Sequence, residues 1–227
     1  MGQGILAKDN KVTRVLVVSD IHGSEMGIQE VVRKSELLKP DLVVICGDIT
    51  HFGPPEQATK FLDMLEVPTF AVPGNCDPPE VIPAIEDSKA KALHRRRQEF
   101  RGHTFVGLGG SPQSPNGLAM EFSEERIFEF LDEVMVPEGI LVTHCPAWGH
   151  NDTAGGAHLG SKAISDIVEK YKPKLALSGH IHDARGILKD KGTIFVNPGP
   201  AKQGFGALVT IEGNKFKAEL LDGFQKS

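Results

Sequence analysis

A chain of 227 residues is long enough for one large α/β domain or two small ones, and at 40% hydrophobic and 24% charged it can bury a sizeable core, which excludes global disorder. The net charge of −5 offers no sequence-independent grip on nucleic acid. Three cysteines, an odd number, argue against a disulfide framework and for a reducing compartment.

The opening Met1-Gly2-Gln3-Gly4-Ile5-Leu6 lacks a signal-peptide core, and Leu6 stands where a myristoylation signal wants Ser or Thr. The first strand is then expected at Val15–Ser19, running into Asp20 and His22. A helix follows over Ser24–Leu38, with apolar residues at Met26, Ile28, Val31, Val32 and Leu37. Leu42–Cys46 is the longest unbroken apolar run. At five residues it is far too short to span a membrane, and it reads as a strand ending in Gly47-Asp48. Pro55–Leu65 is a second helix, with proline in its first turn. Thr69–Val72 is a third buried strand and delivers Gly74-Asn75.

His94–Phe100 and His103–Leu108 flank Arg101-Gly102 and read as a hairpin. Arg95-Arg96-Arg97 lies on its first strand. Alternation of faces keeps the three from forming one patch, and no aromatic residues are interleaved for base stacking. A helix capped by Ser123 runs to Val134, strand Ile140–Thr143 ends at His144, and helix Ser161–Tyr171 stops before Pro173. Strand Leu175–Leu177 leads into Gly179-His180 and His182. Four strands follow, Gly186–Lys189, Thr193–Val196, Ala207–Ile211 and Phe216–Leu221, separated by glycine turns. No linker or repeat interrupts the chain, so one domain over residues 1–227 is expected, with two mixed sheets face to face and helices outside.

Ligands of an open α/β sheet bind beyond the carboxyl ends of its strands. Five strands bring Asp20, His22, Asp48, Asn75, His144, His180 and His182 to such an edge. Any one of them alone reads as a cap or a satisfied histidine. Together they form an oxygen and imidazole donor set without thiolate, suited to Mn, Fe, Zn, Ni or Co and too large for one such ion.

Asp20-Ile21-His22, Gly47-Asp48, Gly74-Asn75-Cys76-Asp77, His144 and Gly179-His180-Ile181-His182 resemble the calcineurin-like metallophosphoesterase superfamily. Val196-Asn197-Pro198-Gly199-Pro200 and His158-Leu159-Gly160-Ser161 resemble its small, uncapped phosphodiesterase-like branch. The resemblance implies a four-layer α/β/β/α sandwich and two divalent metal ions, manganese foremost. It places Asp20, His22 and His182 on one metal, Asn75, His144 and His180 on the other, and Asp48 between them. It also implies attack by a hydroxide bridging the metals, with no phospho-enzyme.

The expected substrate is a small phosphoester, more a diester than a monoester. Cytoplasmic location, no membrane association, no stable nucleic-acid complex and an open question of self-association complete the reading. A phosphomonoesterase acting on nucleotides or phosphoproteins, a nuclease, and a non-catalytic scaffold like the retromer subunit of this fold are the alternatives.

Cys76 stands where most phosphatases of the superfamily carry a histidine that helps the leaving group, and a neutral thiol is a weak donor. Cys76 and His158 therefore join Asp48 and Asn75 as candidate catalytic residues. His158 lies in a glycine-rich loop ahead of the Ser161 helix, whose N-terminus would favour an anion nearby; otherwise it is an exposed loop histidine. His51 and His150 read as rim residues, His94 and His103 as structural or solvated. Cys46 and Cys145 read as buried filler, and Trp148 as a pocket wall or a loop anchor.

Overall fold

Residues of β1 (Thr13–Val18) alternate between two cores. Val15 and Val17 face one, Leu16 and Val18 the other, and all four are buried. A strand with no polar face has to be covered on both sides, and that need sets the layering of the molecule. The computed structural model describes residues 12–115 and 117–224; the Met1–Leu6 segment considered above lies outside them.

In chain order β1 is followed by α1 (Glu25–Leu38), β2 (Leu42–Cys46), α2 (Pro55–Asp63), β3 (Thr69–Val72), α3 (Val81–Glu86) and β4 (Lys91–Ala92). Then come β5 (Arg96–Phe100), β6 (His103–Leu108), the short pair β7 (Ser111–Pro112) and β8 (Glu121–Phe122), α4 (Glu124–Val134) and β9 (Ile140–Thr143). A small hairpin, β10 (Thr153–Ala154) and β11 (Ala157–His158), precedes α5 (Lys162–Tyr171) and β12 (Leu175–Leu177). The chain closes with β13 (Gly186–Asp190), β14 (Thr193–Asn197), β15 (Gly206–Glu212) and β16 (Lys215–Leu221).

Two six-stranded mixed sheets result, ordered β16-β15-β1-β2-β3-β4 and β13-β14-β12-β9-β6-β5. In the first, β1 to β4 are parallel, with Val15 opposite Leu42 and Val43 opposite Thr69. In the second, β6, β9, β12 and β14 are parallel, with Ile140 between Phe105 and Leu175. Val17, Val44 and Phe70 meet Phe105, Val142 and Val196 between the sheets. Ile28, Val31 and Phe61 of α1 and α2 cover the first sheet, and Ile127, Leu131 and Ile164 of α4 and α5 cover the second. This is the four-layer α/β/β/α sandwich.

Three details differ from the sequence expectation. α3, β4 and the two-residue strands β7, β8, β10 and β11 were not anticipated, the last two forming a hairpin within the expected glycine-rich loop 153–160. α3 is six residues long and contains Pro83, while β4 buries only Ala92. The hairpin strand begins at Arg96 rather than His94, because Arg95 takes a left-handed conformation at φ 55° and the half-buried ring of His94 turns to accept from Gly109 N at 3.1 Å. The N-terminus of α5 is not open to an anion. Ser161 caps Ile164 N, and the Glu124 carboxylate accepts from Ser161 Oγ (2.6 Å), Lys162 N and Ala163 N. The charge that the helix dipole attracts is supplied by α4.

Candidate metal centre

Each expected ligand sits where a buried parallel strand ends, and the backbone there is bent hard. Asp20 (φ 58°), His22 (49°), Asp48 (50°) and His180 (66°) are all left-handed. Neighbouring glycines make room for this. Gly47 has φ 96°, and a Cβ on it would stand 2.5 Å from His144 Nδ1; a Cβ on Gly179 would overlap Ser19 and Asp20. The loops are tied to one another by backbone bonds, Asp20 N to Gly47 O at 3.0 Å, His22 N to Asp48 O at 2.8 Å and Gly179 N to His144 O at 2.9 Å.

The side chains converge. His182 Nε2 lies 3.2 Å from Asp20 Oδ1 and 3.3 Å from His22 Nε2. His22 Nε2 is 3.6 Å from Asp48 Oδ2, and His144 Nε2 is 3.5 Å from that same oxygen. Asn75 Oδ1 sits 3.0 Å from His144 Nε2, and the His180 ring lies edge-on to His144 with centroids 4.9 Å apart. Asp20–His22–His182 and Asp20–Asp48–His144 each gather donor atoms within 4.8 Å. All seven expected ligands are thus brought together at the seam of the two sheets, with Asp48 Oδ2 between two histidines.

The electrostatics suit cations. Burial opposes ionisation of Asp20 and Asp48, but the histidines around them hold both carboxyls below their ordinary value. Burial keeps His22 and His180 neutral, each pushed down to about 4. His144 goes the other way. Burial disfavours its charge, yet Asp48 and Asp20 raise it to about 9. Two buried carboxylates thus draw a positive charge onto the imidazole between them, and neutral imidazoles turn lone pairs the same way. This donor set fits two divalent cations, whose binding would release that proton.

Asp77 is the residue whose part the sequence did not disclose. It is buried and accepts from Ile49 N (3.0 Å), Gly74 N (2.8 Å), Thr50 N (2.7 Å) and Thr50 Oγ1 (2.8 Å), locking the Asp48 and Asn75 loops together. Burial and the charge of Asp48 push its carboxyl up to about 6 against those donors. Asn197 does the same for the histidine loop, donating to Ile181 O at 2.9 Å and accepting from Gly199 N at 2.9 Å. Both stand inside motif strings, which was the available signal; their direction depends on loop course.

Cys76 is half-buried beside the centre. Its amide donates to Asp48 Oδ1 at 2.9 Å, and burial and Asp48 push its thiol well above the usual range. Cys46 and Cys145 are buried, and all three cysteines are free. His158 lies outside the cluster. It is on β11, whose partner strand β10 packs beside the His182–Ala184 turn, and its Nδ1 meets the buried Asp152 carboxylate at 2.7 Å. Asp152 also accepts from Gly149 N and Gly160 N, so the dyad is rigid. Trp148 packs against His158 and under Lys162. His150 is stacked on Phe195 and paired with Asp190. His51 is exposed, as a rim residue should be, but its Nδ1 is 3.2 Å from His22 Nδ1.

A model of the calcineurin-like phosphoesterase family matches residues 13–184, most of the chain and a span that includes all seven candidate ligands. The chain belongs to this family. The calcineurin-like phosphoesterase is 34% identical to the uncharacterised protein MJ1162 of Methanocaldococcus jannaschii over 84% of this chain and 89% of that protein. It is 28% identical to a probable glycerophosphodiester phosphodiesterase of Arcobacter nitrofigilis, covering 73% of this chain but 65% of that protein. Its fold is shared with TT1561 of Thermus thermophilus at a TM-score of 0.71 and 18% identity, covering 92% of this chain and 99% of the other. Family, sandwich fold and clustered Asp and His residues are together those of a metal-dependent phosphoesterase. Among the described residues no helix is long and apolar enough to cross a membrane.

Proposed function

We propose that this phosphoesterase hydrolyses small phosphodiesters with two divalent cations, Asp20, His22 and His182 holding one, Asn75, His144 and His180 the other, and Asp48 shared. The observation that carries the reading is Asp48 Oδ2, 3.6 Å from His22 Nε2 and 3.5 Å from His144 Nε2. When bound, two such cations supply an activated water and neutralise charge on the phosphoryl oxygens. Manganese as the resident metal and the cytoplasm as the location are the finer parts of the proposal.

The chain's own residues do the rest. Asp20 and Asp48 stay ionised, and the Cys76 amide fixes the rotation of the Asp48 carboxylate. Asp152 holds His158 by Nδ1, which leaves Nε2 for a leaving-group oxygen. Diesters are favoured because cysteine after Asn75 occurs in the phosphodiesterase-like branch that the motifs resemble; as a neutral thiol it is a poor proton donor to a basic alkoxide, whichever ester releases it. The name of the Arcobacter relative points the same way.

The test compares nitrophenyl phosphomonoester and diester hydrolysis after metal stripping and reconstitution with Mn, Co, Ni, Zn or Mg. Stripping should abolish turnover, Mn should restore it, and the diester should have the higher kcat/KM. Asp48→Asn, touching both cations, should lose more activity than Asn75→Ala. Full turnover in protein shown metal-free by elemental analysis would sink the reading, and a monoester preference would move it to the phosphomonoesterase alternative.

A further inference from the structure

A histidine that holds a cation through one ring nitrogen has to carry its proton on the other, and the group that accepts that proton sets ring orientation and basicity. His144 meets this rule in the ordinary way. Its Nε2 faces Asp48 and Asn75, and its Nδ1 lies 2.7 Å from the Cys46 carbonyl oxygen, which can only accept. His22 is different. Its Nε2 faces Asp20, Asp48 and His182, but its Nδ1 meets another imidazole, Nδ1 of His51, at 3.2 Å with the rings edge-on at 77°.

A hydrogen bond between two ring nitrogens holds one proton, one ring donating and the other accepting. With the Nε2 lone pair of His22 kept for the cation that Asp20 and Asp48 would share with it, Nδ1 of His22 is the donor. His51 then accepts on Nδ1 and carries its own proton on Nε2. The tautomers of the two rings are linked.

His51 is exposed, yet its loop is not loose. Ile49 N, Thr50 N and Thr50 Oγ1 all donate to Asp77, and Phe52 N donates to Cys76 O at 2.9 Å. Bonds on both sides of residue 51 therefore fix the backbone from which its ring meets His22. Cys76 Sγ also lies within 4.8 Å of the two rings, but a thiol is a weak acceptor. His51 is the better acceptor of the two neighbours.

We infer that His51 is a positioning residue for the first cation: by accepting the Nδ1 proton of His22 it fixes the tautomer and ring orientation with which His22 binds. The inference rests on the reading of His22 as a cation ligand. It predicts an asymmetric defect, since among the described residues the His51 ring meets His22 and no side-chain contact joins it to Asn75, His144 or His180.

Calorimetric titration of the stripped full-length protein with Mn²⁺ alone tests it. Wild type should bind two ions. In His51→Ala one of the two affinities should fall by roughly 10–100-fold, the range usual for loss of an outer-shell partner, with the other unchanged. His51→Gln, whose side-chain carbonyl can accept the same proton, should recover most of the loss; rescue separates proton acceptance from mere packing. Two wild-type affinities in His51→Ala would overturn the inference alone, as would a Gln variant no better than Ala. Absence of Mn²⁺ binding by wild type would overturn this inference and the functional reading together.

Discussion

Cys76 is where the chemistry of a single residue is most exposed to test. Its thiol is held protonated by burial and by Asp48, and as a weak donor it gives a departing alkoxide little help. A positioned general acid contributes about 10²–10⁴-fold and matters most for basic leaving groups. Cys76→His should therefore raise kcat/KM for an alkyl ester far more than for an activated aryl ester. The measurement is the ratio of the two in both proteins at equal metal content. An unmoved ratio would remove position 76 from the acid role and leave the Asp152-held His158 as the candidate. The clustering of the seven candidate ligands was legible from sequence because chemically distinctive residues stood at the ends of apolar runs. Asp77 and Asn197 were not, since their task is to hydrogen-bond loops whose left-handed turns no local pattern announces. Nor could the contact between His51 and His22 be read, as it joins residues 29 positions apart through loop geometry.

At the scale of elements, α1 shows how a helix is fastened from its covered side. Glu30 is buried and accepts from Arg33 and from Lys34, whose Nζ also reaches the Asp222 carbonyl oxygen at 3.0 Å, just past the end of β16. Hydrogen bonds from Arg33, together with those from Lys34, hold the Glu30 carboxyl down at about 2, against an ordinary value of 4.5. A folded value below the unfolded one stabilises the fold above the unfolded value, and the gain disappears as pH falls through the folded one. Glu30→Gln should then cost about 1–3 kcal/mol at pH 7, because Lys34 is left buried without its counter-charge. In urea unfolding the gap between variant and wild type should close as pH drops from about 4.5 toward 2. A gap independent of pH would mean that shape, not charge, is what Glu30 contributes. The five apolar strands were readable because burial on both faces leaves no polar residue to confuse the period. α3 and β4 were not readable, being too short for any period to form.

Over the whole molecule, the candidate centre belongs to neither sheet alone. Asp20, His22, Asp48 and Asn75 follow strands of the first, and His144, His180 and His182 follow strands of the second. A cation bound there engages both and recognises only the native state. At 100 times its Kd each ion adds about 2.7 kcal/mol, and for a chain of this size that raises Tm by roughly 5–10 °C. Scanning calorimetry with Mn²⁺ and with chelator should show the difference, and its absence in Asp48→Asn would tie it to this centre. Equal Tm values in wild type would argue that no cation is resident.

The left-handed backbone at Asp20, His22, Asp48 and His180 has a bearing on descent as well as on chemistry. A side chain held there costs about 1 kcal/mol or more that glycine would not. In a lineage that had ceased to use the cations, glycine at any of these four positions would be a stabilising change with nothing to oppose it, and drift would find it. A scaffold of this shape would be free to shed aspartate and histidine from its strained turns. Twelve non-glycine residues among those described take this left-handed backbone, and the four at the candidate centre set its cost against whatever their side chains hold.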